Sequence, residues 1–169
     1  MTASTHTATR TIRPAEPTDV AACLDIYDQA RAFMRRSGNH TQWPEGYPGA
    51  DDIHQDMDNG HLYVCCEGAD VLAVFFFAPG PDHTYATIDG AWSSDTPYHV
   101  VHRIAGREGT GAGRHCLEWA VAHAQSLRID THEDNAPMRH VLTSLGFVEC
   151  GIIICENGTP RVAYQYDRP

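Results

Sequence analysis

Gly106, Gly109, Gly111 and Gly113 fall within eight positions of "GREGTGAGRHCLEWA" (106–120), directly before an apolar-periodic segment. Each glycine costs roughly 0.5–1 kcal/mol against alanine in regular structure. Their accumulation therefore points to a need for bare backbone. Three anion-binding patterns compete for the stretch. Gly106 and Gly111 have the outer spacing of a G-x-x-x-x-G-K-[ST] loop, but Ala112 stands where the lysine belongs. A G-x-G-x-x-G dinucleotide fingerprint fails because Gly113 comes one position early, after a hundred residues of other structure. The remaining pattern, a strand followed by G-x-G-x-G and a helix start, aims peptide N–H groups at a diphosphate. In that pattern Gly109, Thr110, Gly111, Ala112, Gly113 and Arg114 form the cradle, the helix adds its positive end, and Arg107 and Arg114 add charge on either side.

The surrounding elements must deliver that loop. "YHVVHRIAG" (98–106) reads as the strand that leads into it, and Leu117, Ala120, Val121 and Ala124 give the following helix (114–126) one apolar face. Before them come a short strand in 11–19, a helix from Val20 to Arg36, a turn-rich loop (37–52) and a short helix from Asp51 to Asn59. The β-branched and aromatic runs 61–68, 70–80 and 84–90 read as strands. After the glycines, "LRIDT" (127–131) is a strand, and Asn135 caps a helix with Met138, Val141, Leu142 and Leu145 inward, closed by Gly146. "VECGIIICE" and "RVAYQYD" form a closing hairpin across "NGTP". The pattern is a mixed α/β chain, with residues 1–10 as a flexible tail and 11–168 as one domain.

Composition narrows the partners. Net charge is −10 and hydrophobic content 42%, which suits a packed core and disfavours nucleic acid. No apolar run approaches the ~18 residues of a membrane span, and "MTASTHTATR" has no apolar region of a secretory signal, so a cytoplasmic chain is expected. Six cysteines include no C-x-x-C pair and read as buried free thiols, with Cys65 and Cys66 on opposite strand faces. No H-x-x-x-H or H-E-x-x-H stands on a helix, so no metal is expected.

"HRIAGREGTGAGRHCLEWA", "RIDTHEDNAPMRHVLTSLGF" and the closing hairpin together resemble the GNAT superfamily of N-acetyltransferases. The resemblance spans 11–168 and implies a single-domain GNAT fold: a mixed, mostly antiparallel sheet of about seven strands flanked by about four helices. It implies acetyl-CoA as cosubstrate, with Gly111 and Gly113 as loop glycines, Arg114 opening the helix, Ile104 and Ala105 offering backbone to the pantetheine arm, and Asn135 and Met138 beside the lower arm. Glu108 departs from the usual Gln or Arg, so it should face solvent with Arg107 in its place.

The resemblance implies acetyl transfer to a primary amine of a small molecule by direct attack on the thioester, with a homodimer compatible with the scaffold. A non-catalytic acyl-CoA sensor is the alternative. Transfer needs a neutral amine, a stabilised oxyanion and a proton for the leaving thiolate. His102 is the first candidate base and His132 the second. Leu142 occupies the position where the family often has a tyrosine as general acid, which leaves Tyr164 to reach the site. Gln42, Trp43 and Tyr47, with Asp89 and Trp92 across the sheet, are expected to hold the amine.

Overall fold

The computed structural model describes residues 9–169. Its strands are β1 (Arg10–Pro14), β2 (Leu62–Glu67), β3 (Asp70–Pro79), β4 (Asp89–Gly90), β5 (His99–Gly106), β6 (Ser126–Thr131), β7 (Val148–Ile154) and β8 (Pro160–Asp167). The helices are α1 (Val20–Arg36), α2 (Ala50–Asp58), α3 (Ala112–His123) and α4 (Ala136–Ser144). All strands join one sheet in the order β1-β2-β3-β5-β6-β8-β7-β4. Every pairing is antiparallel except β5 with β6, whose crossover is α3.

Strand alternation divides the core. Cys65, Phe75, Val101, Leu127 and Ile129 face α3 and α4, where Leu117, Ala120 and Leu142 pack. Val64, Cys66 and Val74 face α1, meeting Cys23, Ile26 and Tyr27. Burying a side chain such as Leu117 contributes about 1.5–3 kcal/mol. Cys65 and Cys66 therefore do point to opposite faces, and all six thiols are free, although Cys150 and Cys155 are only half-buried. A third cluster, with Tyr85, Val100, Ile153 and Ala163, lies under the 80–98 segment. No helix among the described residues is long and apolar enough to cross a membrane.

Residues 84–90 depart from the strand expected of them. Asp82 accepts from Thr84 N at 2.9 Å and caps a 3-10 turn over His83–Tyr85, leaving only Asp89–Gly90 to pair with β7. A short acidic side chain that bonds nearby amides competes with ladder formation. β1 begins at Arg10, inside the stretch expected to be tail; residues 1–8 lie outside the described residues. The third helix starts at Ala112 and stops at His123, because Ala124 is already extended toward β6.

β5 carries one residue more than β3 between the pairs Phe76–His102 and Val74–Ala105. The bulge puts Arg103 at a φ of 47°, a left-handed conformation that side chains rarely adopt. It is held there by Tyr27 Oη, which donates to the Arg103 carbonyl at 2.9 Å, and by Asp56, which accepts from the guanidinium at 2.8 and 3.0 Å.

The glycines of the following turn have distinct roles. Gly109 and Gly111 have φ of 77° and 68°. A Cβ on Gly106 would sit 2.9 Å from the Gly113 amide nitrogen, whereas one on Gly113 would meet nothing within 4 Å. Gly106→Ala should lower stability by about 1–3 kcal/mol, and Gly113→Ala should raise it by roughly 0.5 kcal/mol. Guanidinium midpoints of the two variants check this, and shifts of the same sign would refute it.

Candidate active site

β5 and β6 pair only at His99–Leu127 and Val100–Arg128. Beyond those two residues the parallel strands part, and β5 from Val101 onward has no partner on that side. Two concavities meet in the gap. A groove of about 520 Å³ runs between α1, the end of β5, the glycine turn and the starts of α3 and α4. A cleft of about 440 Å³ opens under the 37–49 loop. Met34, Ile104, Asn135 and Met138 line both, so the two are continuous.

The groove carries the anion-binding features. Arg10 Nη2 donates to the Thr110 carbonyl at 2.6 Å, Thr110 Oγ1 donates to the Arg107 carbonyl at 2.7 Å, and the Ala112 amide donates to Thr110 Oγ1 at 3.2 Å. The first bond of α3 is His115 N to Gly111 O, 3.2 Å. Among the described residues, this leaves the amides of Gly109, Gly111, Gly113 and Arg114 without partners at a helix N-terminus. A Cβ at Gly109, Gly111 or Gly113 would enter open space. These residues fit a diphosphate. Ile104, Ala105, Gly109, Gly113, Arg114, Asn135 and Met138 line the groove, whereas Gly111, with Thr110 and Ala112, does not: these three form the back of the turn, where the Ala112 amide donates to Thr110 Oγ1.

Charge at the rim differs from expectation. Arg107 does not reach the groove; its guanidinium donates to Asp25 at 2.7 Å and to the Val71 carbonyl at 3.0 Å. Arg36, in the last turn of α1, lines the groove and pairs with the exposed Glu108 at 3.0 Å. Arg114 bonds Glu118 and Ser144. The "RR" ending of the first helical stretch was the only sequence signal for Arg36.

In the cleft, Gln42 is the tie between loop and helix. Its Oε1 accepts from Asn39 at 2.7 Å and from Asn135 Nδ2 at 3.0 Å, while Asn135 Oδ1 accepts from Met138 N at 3.3 Å. Trp43 stands edge-on to Tyr27 and Tyr47, with centroids at 5.6 and 6.5 Å. Tyr47 Oη accepts from Arg103 at 3.4 Å. Gln42, Trp43 and Tyr47 thus all face the cleft.

His102 also lines it, between two carboxylates. Its Nε2 lies 2.7 Å from Asp82 Oδ2, and its Nδ1 lies 3.9 Å from Asp130 Oδ1, which accepts from Tyr85 Oη at 2.6 Å. Burial opposes ionisation of Asp82, but hydrogen bonds from His102 and Thr84 outweigh it and hold the carboxyl below its ordinary range. An ionised carboxylate only accepts, so Nε2–H donates to Asp82 and Nδ1 is the ring nitrogen turned toward Asp130. Asp56, by contrast, is pushed up by burial, against the pull of Arg103.

Four expected residues stand elsewhere. His132 Nε2 meets Thr41 Oγ1 at 3.0 Å and its Nδ1 accepts from Asp134 N at 3.1 Å, so it locks a turn outside the cleft. Tyr164 is buried, with its hydroxyl accepting from Arg139 at 3.0 Å, because its strand position faces the α4 side. Trp92 packs on Arg128 at 4.1 Å and donates to the Tyr85 carbonyl, away from the cleft. Asp89 is exposed at the sheet edge in β4. The acidic residues beside His102, Asp82 and Asp130, were hidden in a turn and a strand that only tertiary pairing brings to it.

No family model and no curated protein matches the chain. Its structure does match others. A Salmonella typhimurium acetyltransferase solved with acetyl-CoA has a TM-score of 0.63 at 18% identity, covering 94% of this chain and 93% of that one. The ribosomal-protein-S18-alanine N-acetyltransferase of Escherichia coli gives 0.61 at 16% identity, covering 94% of each. These two share the fold. A GNAT-family acetyltransferase of Streptococcus agalactiae is 30% identical with a TM-score of 0.86, over 95% of this chain and 96% of that one. Likeness of that extent at that identity makes this chain a member of the GNAT family of acetyltransferases.

Proposed function

We propose that the chain moves the acetyl group of acetyl-CoA to a primary amine of a small molecule. The observation that carries this reading is the continuity of the two concavities at Met34, Ile104, Asn135 and Met138. A donor bound on one side would present its reactive end to an acceptor on the other.

The bound thioester supplies an activated acyl group. The chain's own residues supply the rest. Free amides of Gly109, Gly111, Gly113 and Arg114 bind the diphosphate, with the dipole of α3 behind them. Arg36 can exchange Glu108 for a phosphate oxygen, since both side chains are exposed. β5 peptide groups near Arg103 and Ile104, released by the bulge and by the departure of β6, are available to an oxyanion. His102 Nδ1 takes the proton of the attacking amine, with Asp82 fixing the ring through Nε2. Tyr164 takes no part in this reading, and water protonates the thiolate.

The acyl-CoA sensor alternative draws on Leu142, which is buried in the core and offers no acid. The His102–Asp82 pair in the cleft favours turnover. Thiol release over an amine panel decides between them.

Gly113→Glu should remove coenzyme A binding in calorimetry while leaving the melting temperature within a few degrees, because the new side chain starts in open space. Unchanged affinity would refute the cradle. His102→Ala should lower kcat by roughly 100- to 10,000-fold, with coenzyme affinity retained. An unchanged kcat would remove His102 from the mechanism. Asp82 contributes stability above the ordinary carboxylate pKa, which is lost as pH falls through its lower folded value. Below about pH 4, wild type should therefore lose more stability than Asp82→Asn in denaturant titrations. Parallel losses would show that the Asp82–His102 bond does not stabilise the fold.

A further inference from the structure

Nine of the twelve arginines lie within an ion-pair distance of a carboxylate. Among the described residues, three do not. Arg168 is exposed and donates to the Val121 and Ala122 carbonyls at the end of α3. Arg128 lies between the Trp92 and Tyr98 rings, 4.1 and 4.0 Å from their centroids. Arg161 has neither excuse. It is 6% exposed, lines the acceptor cleft, and bonds only neutral oxygens: Thr159 Oγ1 at 3.0 Å, Pro160 O at 2.8 Å and Gln42 O at 3.0 Å.

A buried guanidinium without a counter-charge is costly. The cleft's own carboxylates are engaged elsewhere: Glu156 with His83 at 2.7 Å, Asp82 with His102, and Asp130 with Tyr85. Nη1 makes two of the three bonds and Nη2 one, so Nε–H and one Nη2–H of Arg161 have no partner among the described residues. A neighbouring pair of donors on one planar group suits two oxygens of one anion.

We propose that Arg161 binds an anionic oxygen group on the acceptor, so that the substrate is an amine that also bears a carboxylate or phosphonate. This deepens the transfer reading and rests on it. The amine end lies at His102 and Asp130 on β5 and β6; the anionic end lies on β8, beyond β6. Asp130 and Arg161 line the same cleft, with the half-buried Cys155 beside them. The Gln42 carbonyl that Arg161 grips belongs to the same loop residue whose side chain binds Asn135. Filling the Arg161 site therefore also bears on the residue where donor and acceptor sides meet.

The test measures equilibrium binding to the coenzyme A-loaded protein by calorimetry, and thiol release with acetyl-CoA in parallel. The panel contains α-, β- and γ-amino acids, the primary amide of each, and the matching aminophosphonates. At least one acid or phosphonate should bind about 100-fold more tightly than its amide, and Arg161→Gln should bring that ratio close to one. Arg161→Lys, which keeps the charge and loses the fork, should fall between. Which anion binds best distinguishes carboxylate from phosphonate acceptors. Equal binding of acids and amides by wild type overturns the proposal without recourse to any variant. So does an Arg161→Gln protein that melts earlier yet keeps the ratio, since Arg161 would then be structural only. Preferential binding without thiol release would leave the anion site standing and sink the transfer reading. Thiol release without preference would do the reverse.

Discussion

Two residues of parallel pairing, His99–Val100 against Leu127–Arg128, govern the molecule. If β5 and β6 stayed paired along their length, the sheet would be continuous and no passage would connect its two faces. Past the parting, β5 bends at its bulge, where Arg103 is held in a left-handed conformation by Tyr27 and Asp56. That conformation costs of order 1–3 kcal/mol, and a bidentate ion pair with Asp56 keeps it in place. The α1 and α2 helices thus do more than cover a sheet face: each supplies one of the groups that hold the bulge in place.

The split in turn explains the polarity of the site. On the α3 and α4 side it exposes a helix start with free amides, a place for anions. On the other side it exposes His102 between Asp82 and Asp130. An overall charge of −10 opposes any anion, so a place for one must rest on local attraction. Amides, the α3 dipole and Arg36 provide it over short distances, where screening by salt is weak. Glu108 at the same rim is paired with Arg36.

The loop over the cleft has no regular structure from 37 to 49, yet it is tied at several points. Arg31 donates to the Tyr47 and Pro48 carbonyls, Asn135 to Gln42, and Arg161 to the Gln42 backbone. These are polar links from three different elements. Turn-rich composition gave no hint of them, because each depends on a partner distant in sequence.

What the sequence determined by itself was local or periodic, the 84–90 run excepted. The glycine turn, the helical stripes of α1 and α4, the Asn135 cap and the closing hairpin all follow from spacing along the chain. Gln42, Trp43, Tyr47 and His102 were legible as cleft residues because loop position and strand position constrain them. Only the folded chain decided which charges meet. His132 and Arg107 are candidates in the sequence, but Thr41 and Asp25 take their polar atoms. Asp82, Asp130, Arg103 and Arg161 enter the site across strand pairings and 20 to 119 residues of chain. A hydrogen bond reaches about 3 Å, and no periodicity encodes which distant side chains will come within it.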